Sequence, residues 1–452
     1  MTKHSLWRRT AALFVLFVTV FTFIPQPARA LDDPNIAATA AILLDPESNM
    51  VLYQKAADEK RYPASTTKIM TALVVLDHVK DLNEKVTVAE ADFEGVESDS
   101  SKAGFKVGEE IPVIDLLYGL LLPSGNEAAN TLARHVGGSI EGFVQMMNDE
   151  AAALGCTGTH FANPNGLHDD NHYTTARDLS RIAAKALENE TFALIANTAQ
   201  KTLSETNMTA ERGGKPLKVF TTNMLIFSRN DPLFYSYAKG IKTGHTSQAG
   251  YCLVATATKK NATLISVVMG CEKPEGASQP VTFTETKRLF EWGFSNFVSK
   301  TLVEKGKAVT EIPIRLSTDC DHIVLQTGSK LDAIVPVDID MNKVERTMHL
   351  PEDLVAPVKT GDVIGTMEIS YNGVNYGSVD LVSIRDVSLS KVLYYSDKLE
   401  NFFKSRLFKL IVLGLVALLV IYLLYMVLIG RRHRRRRAQM MRSKSSRYRR
   451  YK

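Results

Sequence analysis

The chain has 452 residues, of which 45% are hydrophobic and 23% are charged, so its composition is that of a globular protein and excludes a disordered one. Its formal net charge of +5 does not indicate a polyanionic substrate, because the two ends carry the excess of basic residues. Without these ends, residues 31–430 hold 38 Lys and Arg against 49 Asp and Glu, and are therefore acidic. The length allows two or three domains.

The N-terminal segment has the features of a cleaved secretion signal. Three basic residues precede the apolar run AALFVLFVTVFTFI at 11–24, and a small-residue cleavage site ends at Ala30. The apolar run is too short to prefer a stable membrane span. We therefore predict that residues 1–30 are a signal peptide, with cleavage after Ala30.

The next region predicts strands at both of its ends and helices between them. Such an arrangement favours an α/β domain over residues 31–298, whose terminal segments share one sheet. The runs YCLVATATK and ATLISVVMG predict adjacent antiparallel strands. The predicted elements in chain order are two strands within 38–61, a helix at 65–80, short strands within 84–113, helices at 114–137, 141–154 and 174–188, strands at 251–259 and 262–270, and the end of a last helix at 291–298.

After this domain the pattern changes to short alternating runs that are separated by turns. This pattern predicts a small all-β sandwich domain over residues 299–392. Residues 393–409 then have the pattern of an amphipathic linker.

A membrane span and a basic tail are expected at the C-terminal end. Residues 410–429 contain no charged residue, and twenty helical residues cross a bilayer core of about 30 Å. Residues 430–452 hold twelve Lys and Arg and no acidic residue, which predicts a cytoplasmic tail and an extracytoplasmic catalytic domain. A nucleic-acid-binding arm is the alternative interpretation. We favour the membrane interpretation, without a nucleic-acid partner, because the tail directly follows the span. The oligomeric state stays open.

Four cysteines could form three different full pairings, and the sequence does not choose between them. Cys252 and Cys271 lie on the two strands of a predicted hairpin, at unequal distances from its turn, so they would not be opposite each other. We therefore favour buried free thiols over disulfides. The other two cysteines are Cys156 and Cys320.

Three short motifs that begin at Ser65 (Ser-Thr-Thr-Lys), Ser124 (Ser-Gly-Asn) and Lys242 (Lys-Thr-Gly) follow one another along the chain. Each motif alone is weak evidence, because an N-cap, a turn or a solvated lysine would explain it. Their contexts are informative, since only Ser65 is predicted to start a helix, Ser124 lies between two helices, and Lys242 precedes a core strand. Further copies, which begin at Ser228, Lys359 and Ser388, lie in a surface-like segment and in the predicted β domain, and in the wrong order.

With the text around these motifs, residues 31 to about 390 resemble the low-molecular-mass penicillin-binding proteins, which are serine-type D-alanyl-D-alanine carboxypeptidases. The matching text is YPASTTKIMTAL, LLLPSGNEAANTLA, THFANPNGLHDDNHYTTARDL and GIKTGHTSQAGYCLVATA. The resemblance implies a transpeptidase/β-lactamase-like α/β domain, built from an antiparallel sheet and a helical lobe, and then a β-sandwich and a membrane anchor.

The resemblance also implies an activity and its partners. The enzyme would remove the terminal D-alanine from peptidoglycan stem pentapeptides through an acyl-enzyme intermediate, in cell-wall biosynthesis and remodelling. β-Lactam antibiotics would inhibit it covalently, and it would need neither a cofactor nor a metal.

The first motif suits nucleophilic catalysis for physical reasons. The Ser65 hydroxyl needs a neighbouring base, and Lys68 lies three residues further along the same helix face. A lysine acts as a base only when it is neutral, and both burial and a second cation such as Lys242 disfavour its charged form. The helix N-terminus offers the backbone N–H of Ser65 to a developing oxyanion.

Further roles follow from the resemblance. Ser124 would relay the proton to the leaving amine, and Asn126 would hold the substrate amide. The strand after Lys242 would align the substrate by β-augmentation. The expected substrate-binding positions on that strand, with the backbone N–H of the histidine in the oxyanion site, are Lys242, Thr243, Gly244, His245 and Thr246. Many relatives also place an arginine near the substrate carboxylate, between the last core strand and the closing helix. Here that stretch reads PEGASQPVTFTETKR and contains no arginine before Arg288.

Three alternatives are less well supported. A class A β-lactamase would need a loop of the Glu-x-x-Leu-Asn type, which is absent from the sequence. A zinc peptidase could use His168 and His172, but a solvated turn explains this pair better and no third ligand is evident. A non-catalytic scaffold would not need the intact motifs, and labelling with a fluorescent penicillin would distinguish it from an enzyme.

Overall fold

The computed structural model describes residues 31–448, and their side chains up to residue 441. The predicted signal peptide lies outside the described residues. The chain divides into two compact units. The first extends to Lys300 and includes Ala333–Ile339, whereas the second contains Thr301–Asp332 and the chain from Asp340 onwards. The predicted domain boundary at residues 298 and 299 stays a proposal.

Among the described residues, nine strands and eight α-helices lie wholly within the first unit. Its strands are β1 (Ala40–Leu44), β2 (Val51–Lys55), β3 (Lys85–Thr87), β4 (Glu110–Pro112), β5 (Gln200–Thr202), β6 (Lys218–Phe220), β7 (Ala238–Thr246), β8 (Gly250–Lys259) and β9 (Ala262–Cys271). Its helices are α1 (Lys68–His78), α2 (Val113–Leu121), α3 (Asn126–Gly137), α4 (Ile140–Ala153), α5 (Ala176–Leu187), α6 (Glu190–Ala196), α7 (Met224–Phe227) and α8 (Thr282–Asn296).

A five-stranded antiparallel sheet in the order β2-β1-β9-β8-β7 forms the centre of this unit. Successive side chains of a strand point to opposite faces, and Ile42 and Leu43 accordingly enter different hydrophobic cores. Helix α5 packs on one face and α8 on the other. Strand β1 is fully buried because both faces are covered.

The hairpin of β8 and β9 confirms the two predicted adjacent strands. Lys260 and Asn261 form its two-residue turn, with φ of 51° and 65°. Positive φ at both turn residues is typical of the hairpin turns that match strand twist, and asparagine tolerates this conformation well. The two longest strands of the sheet are thereby fixed next to each other.

One predicted helix differs from the structure near the motifs. Helix α1 begins only at Lys68, and Ser65 lies in a preceding 3-10 turn, Ala64–Thr67. The helical region predicted over 114–137 is divided into α2 and α3, which agrees with the prediction that Ser124 lies between two helices. The chain leaves helical geometry at Ser124, where φ is 67°. Both motif serines therefore lie outside a regular α-helix.

The second unit contains an all-β region, as predicted. Its strands are β11 (Ala308–Arg315), β12 (His322–Thr327), β14 (Glu345–His349), β15 (Leu354–Val355), β16 (Val363–Tyr371) and β17 (Val374–Ser383). They form one six-stranded sheet in the order β14-β16-β17-β12-β11-β15. Buried aliphatic side chains such as Ile323, Leu325 and Leu381 form its core. Two more strands, β10 (Phe297–Val303) and β13 (Leu331–Pro336), each have residues in both units.

Two helices follow within the described residues. They are α9 (Lys391–Lys404) and α10 (Arg406–Tyr448), which are separated at Ser405. Within α10, Arg406–Met441 is long and apolar enough to cross a membrane, and a membrane anchor is therefore compatible with the fold. The predicted span 410–429 lies inside this helix.

The four cysteines, all in the described part of the chain, are unpaired, and three of them are buried. Cys271 stands opposite Tyr251, not opposite Cys252. Burial raises the pKa of the Cys252 thiol to about 11 and that of the Cys156 and Cys271 thiols to about 12. These thiols are therefore protonated at neutral pH.

Candidate active site

The turn that carries Ser65 is held by side chains of its own segment. Thr66 donates its hydroxyl hydrogen to the carbonyl of Pro63 at 2.6 Å, and Thr67 donates to that of Ala64 at 2.8 Å. Such local bonds favour a tight turn over the α-helix that begins immediately afterwards. They leave the half-buried Ser65 hydroxyl at the edge of a cavity.

Lys68 is fully buried and its amine contacts three oxygen atoms. Nζ lies 3.0 Å from Oγ of Ser65, 2.7 Å from Oδ1 of Asn126 and 2.5 Å from the carbonyl oxygen of Asn165. The two carbonyl oxygens can only accept, whereas the Ser65 hydroxyl can also donate. A neutral amine, with two N–H groups and one lone pair, therefore satisfies all three contacts when it accepts the hydrogen of Ser65.

The electrostatic environment favours the same neutral amine. Burial lowers the pKa of Lys68 well below its ordinary value, and the positive charge of Lys242 lowers it further. Glu127, a buried carboxylate, opposes this shift. Burial also lowers the pKa of Lys242 to about 7.

Strand β7 places the third motif against the Ser65 turn. A Cβ on Gly244 would lie 2.9 Å from the carbonyl oxygen of Pro63 and 3.1 Å from the backbone nitrogen of Ser65. Because these are backbone atoms that cannot move aside, only glycine allows the strand to come this close. Lys242 is buried on the same strand, and its Nζ donates to the carbonyl of Thr243 at 3.0 Å.

The side chains of Thr243, His245 and Thr246 on β7 have different contacts. The exposed His245 ring stacks on Tyr251 with 4.0 Å between the ring centroids, which leaves the backbone of His245 next to the cavity. Oγ1 of Thr246 accepts the N–H of Ala249 at 3.0 Å, so its own hydrogen remains available. Oγ1 of Thr243 lies 2.5 Å from Oγ1 of Thr222.

Ser124 occupies the segment between α2 and α3. Its backbone has a φ of 67°, a left-handed conformation that is costly for a residue with a side chain. Its buried hydroxyl has no hydrogen-bond partner in the described part of the chain. A buried, unpaired hydroxyl that lines the cavity is available to a bound molecule.

The sequence-predicted residues come together around one cavity of about 360 Å³. Lys68 and Lys242 lie beneath its surface, and the others line it. The lining residues among them are Ser65, Ser124, Asn126, Thr243, Gly244, His245 and Thr246.

Asn165 and Glu127 belong to the site although the sequence interpretation did not name them. The carbonyl of Asn165 accepts from Lys68, and Glu127 accepts the backbone N–H groups of Ala103 and Gly104 at 2.7 and 2.9 Å. The asparagine- and glycine-rich text FANPNG was the available signal for a structured loop, since such residues favour turns.

The interpretation of His172 as part of a solvated turn is wrong. The ring is buried, and its Nδ1 accepts the N–H of Ala162 at 3.0 Å. Nε2 therefore carries the hydrogen and donates to Oγ1 of Thr67 at 2.8 Å. Burial lowers the pKa of His172 to about 4, so it is neutral at physiological pH. No cluster of three metal-ligating side chains occurs among residues 31–441.

The copy of the first motif at Ser388 corrects one expectation. Helix α9 begins at Lys391, so Ser65 is not the only motif serine that stands before a helix. Ser388 and Lys391 are both exposed, whereas Lys68 is fully buried. Burial, which the sequence pattern did not reveal, distinguishes the two copies.

The region that lacks an arginine also reaches the cavity. Gln279, Pro280, Thr282 and Phe283 line it, and the described lining contains no arginine. Arg288 contacts Glu285 and the carbonyl of Asn35 instead. The hydroxyl-bearing residues Thr243 and Thr246 of β7 line the same cavity.

Two family profiles match the chain in succession. The profile described as D-alanyl-D-alanine carboxypeptidase, of the peptidase S11 group, matches residues 27–273. The profile described as the C-terminal domain of penicillin-binding protein 5 matches residues 297–388.

Individual relatives give the same result. The D-alanyl-D-alanine carboxypeptidase DacC of Escherichia coli is 33% identical over 402 residues, which cover 86% of this chain and 94% of DacC. DacA of Haemophilus influenzae is 33% identical over 361 residues, or 78% of this chain and 86% of DacA. The crystal structure of penicillin-binding protein 5 from Haemophilus influenzae matches with 32% identity and a TM-score of 0.65, and covers 79% of this chain and 100% of that one.

Proposed function

Because the chain belongs to the D-alanyl-D-alanine carboxypeptidase family and is a penicillin-binding serine carboxypeptidase of cell-wall metabolism, we propose that Ser65 is the residue that the substrate acylates. The contact between Lys68 and Ser65 carries this proposal. A neutral Lys68 that donates to the two carbonyl oxygens, which cannot return a proton, keeps its lone pair for Ser65, the only hydroxyl among its partners.

The acylation step follows from this contact. Neutral Lys68 takes the proton of Ser65 while Oγ attacks the carbonyl carbon of the penultimate D-alanine. The negative charge that develops on the carbonyl oxygen accepts from the backbone N–H groups of Ser65 and His245. The hydroxyl of Ser124 passes the proton to the amine of the leaving D-alanine, and Asn126 holds the amide of the remaining peptide.

Hydrolysis of the ester completes the cycle. Water attacks the acyl carbon and gives up a proton, the Ser65 oxygen leaves and takes up that proton, and the shortened peptide departs. A β-lactam acylates the same serine, but its leaving group stays attached. The terminal carboxylate of the substrate pairs with Lys242 and the hydroxyls of Thr243 and Thr246, in a site that has no arginine within its described lining.

The location of the enzyme is a further part of the proposal. Helix α10 anchors the chain in the cell membrane, the catalytic domain faces outwards, and the basic residues after 430 stay in the cytoplasm. The apolar stretch of α10 and the positive-inside rule support this orientation.

Mass spectrometry with a pentapeptide that ends in D-Ala-D-Ala tests the reaction directly. The expected product has lost one alanine, and penicillin adds its own mass to a tryptic peptide that contains Ser65. Cleavage at another bond, or a penicillin adduct on another residue, would contradict the proposal.

A further inference from the structure

Glu127 is a buried acidic residue next to the second motif, and the proposed reaction does not use it. Its side chain is fully buried. It follows Asn126, whose Oδ1 lies 2.7 Å from Nζ of Lys68. Burial of an acidic side chain is costly unless its oxygens find partners or a nearby cation. A buried acid at this position therefore indicates a role in the site.

One oxygen of Glu127 holds a wall of the catalytic cavity. Oε1 accepts the backbone N–H groups of Ala103, Gly104 and Phe105, at 2.7, 2.9 and 3.4 Å. These three residues end the segment 99–105, whose first three residues line the cavity. We call residues 99–105 the wall segment. Its end lies outside helices and strands, so the carboxylate supplies an acceptor that secondary structure does not.

The wall segment packs on the backbone that carries Ser124. The backbone N–H of Asn126 donates to a carbonyl of the wall segment at 3.0 Å. A Cβ on Gly125 would lie 2.9 Å from Cβ of Ala103 and 3.0 Å from its backbone nitrogen. The left-handed conformation of Ser124 persists only when its surroundings hold it in place. Bonds that fix the wall segment therefore also fix the Ser124 hydroxyl.

The charge of Glu127 acts on the catalytic lysine. Oε2 is buried and has no hydrogen-bond partner in the described part of the chain. Burial and the charge of Lys242 lower the pKa of Lys68, and the negative charge of Glu127 opposes both. His172 also faces Lys68, but it is neutral above pH 4 because burial lowers its pKa to about 4. Among the described groups, Glu127 is therefore the anion that acts on Lys68.

Lys68 needs an anion at one point of the catalytic cycle. When it takes the proton of Ser65 it becomes an ammonium, in a buried position and near Lys242. A buried charge is costly unless an opposite charge compensates it. A carboxylate that is already fixed nearby compensates this ammonium and needs no reorganisation at the moment of reaction.

We propose that Glu127 is a positioning residue, which holds the wall segment and the Ser124 turn with one oxygen and stabilises the transient ammonium of Lys68 with its charge. It does not line the catalytic cavity, and it acts through Lys68 and Ser124. No proton moves to Glu127, because the proton passes from Ser65 to Lys68 and then, through Ser124, to the leaving amine. This inference rests on the proposed function, because it takes Lys68 as the base.

Glu127→Gln, in the full-length enzyme in detergent, tests the role of the charge. The second-order rate constant of penicillin acylation is measured by intact mass from about pH 4.5 to 9, and it falls on the acid side as Lys68 becomes protonated. Without the carboxylate the pKa of Lys68 falls further, so this acid limb should move about one pH unit lower. A weaker base also takes the proton of Ser65 more slowly, so the plateau should fall about tenfold.

Two further variants separate the charge from the bonds. Glu127→Asp keeps the charge on a shorter side chain, so its acid limb should stay in place while its plateau falls about threefold. Glu109→Gln is the matched control, because Glu109 is a buried carboxylate that accepts the N–H of Lys106, next to the wall segment, at 3.0 Å. It pairs with Arg212, so this variant should lower the melting temperature without moving the acid limb. The titration of Lys242, whose pKa burial lowers to about 7, should be common to all variants.

Melting temperatures of the same preparations show which variants are folded. An acid limb of Glu127→Gln that coincides with that of the unmodified enzyme would overturn the proposal, and so would an equal shift in Glu109→Gln. If Glu127→Gln does not fold, Glu127→Asp decides, since an unchanged plateau would show that the bonds to the wall segment do not position the site. Absence of a Ser65 adduct in the unmodified enzyme would refute the proposed function instead.

Discussion

At the scale of single residues, burial suits Lys68 to the role of a base. Two of its partners are carbonyl oxygens, and the third is a hydroxyl that can either accept or give up a proton. The three contacts alone would therefore also satisfy an ammonium. Burial and the neighbouring charge of Lys242 lower the pKa of Lys68 well below its ordinary value and so favour the neutral, reactive form.

Lys68→Arg should acylate orders of magnitude more slowly than the unmodified enzyme, because a guanidinium keeps its charge and cannot accept the proton of Ser65. A time course of acyl-enzyme formation by intact-mass measurement checks this rate. Ser65→Ala is the control and should form no adduct. Near-normal acylation of Lys68→Arg would remove Lys68 from the role of base.

The charge of Lys242 should appear in the pH dependence of carboxylate recognition. Its pKa is lowered to about 7, so the free enzyme loses this cation as the pH rises through 7. The ratio of kcat/KM for a D-Ala-D-Ala peptide to that for its C-terminal amide should therefore fall above pH 7. The ratio cancels the titration of Lys68, which affects both substrates.

Thr246→Val provides a matched comparison for this prediction, because the hydroxyl that it removes does not titrate. The variant should lower the ratio of kcat/KM for the D-Ala-D-Ala peptide to that for its C-terminal amide at every pH. The pH dependence of this ratio should remain unchanged. A ratio that is constant across pH 6 to 9 in the unmodified enzyme would show that Lys242 does not bind the carboxylate.

The bond from His172 to Thr67 should position the nucleophile. Thr67→Val and His172→Gln should each lower the first-order acylation rate constant about tenfold with little change in apparent penicillin affinity, because both loosen the turn that holds Ser65. Since the two residues act through one bond, the double variant should be no slower than the worse single variant.

Stopped-flow acylation kinetics check this non-additivity. Thr67→Ser keeps the hydroxyl and should retain the normal rate. His160→Gln, at an exposed histidine of the same loop, is the control that should change nothing. Additive losses in thermal stability with an unchanged rate constant would assign the pair a structural role only.

At the scale of the elements, strand β7 lies so close to the Ser65 turn that there is no room for a side chain at Gly244. Gly244 has an ordinary backbone conformation, so an alanine there would meet no strain except the approach to Pro63 and Ser65. Gly244→Ala should therefore push the strand and the turn apart.

We expect Gly244→Ala to reduce the acylation rate at least about tenfold while the chain still folds. Acylation rate and melting temperature, measured on the same preparation, separate the two effects. A normal rate would show that the strand need not approach the turn as closely as the structure has it.

The sequence was sufficient to predict those features that short sequence patterns determine. Alternation and the turn at Lys260 and Asn261 predicted the hairpin of β8 and β9, and the order of the motifs predicted which side chains meet. The contacts of Lys68 with Asn165 and of Thr67 with His172 could not be predicted in this way. Asn165 is 97 residues from Lys68, and His172 is 105 residues from Thr67, so only the folded chain brings them together.

The short turn before α1 was missed for a different reason. A 3-10 turn and the first turn of an α-helix have nearly the same sequence pattern, and the choice between them depends on individual bonds. The hydroxyls of Thr66 and Thr67 make those bonds to preceding carbonyls. The same residues would be ordinary members of a helix if their rotamers differed.

At the scale of the whole molecule, the residues proposed for catalysis all precede residue 250, whereas the apolar helix begins at Arg406. A chain of residues 31–390, which ends just before α9, should therefore be soluble without detergent and as active on D-Ala-D-Ala peptides as the full-length enzyme. Sedimentation and kcat/KM measure the two properties. A folded but inactive product would show that the later helices contribute to the site.

The unpaired cysteines have a consequence for how the protein matures. Within the described chain no covalent cross-link is needed to reach the fold, so export need not be followed by an oxidant or an isomerase. At neutral pH, on the order of one in ten thousand or fewer of the Cys156, Cys252 and Cys271 thiols is ionised, and only the ionised form reacts readily. The enzyme should thus keep its activity through swings between reducing and oxidising surroundings. Only the half-exposed Cys320 remains open to alkylation, and it offers a single attachment point for a label.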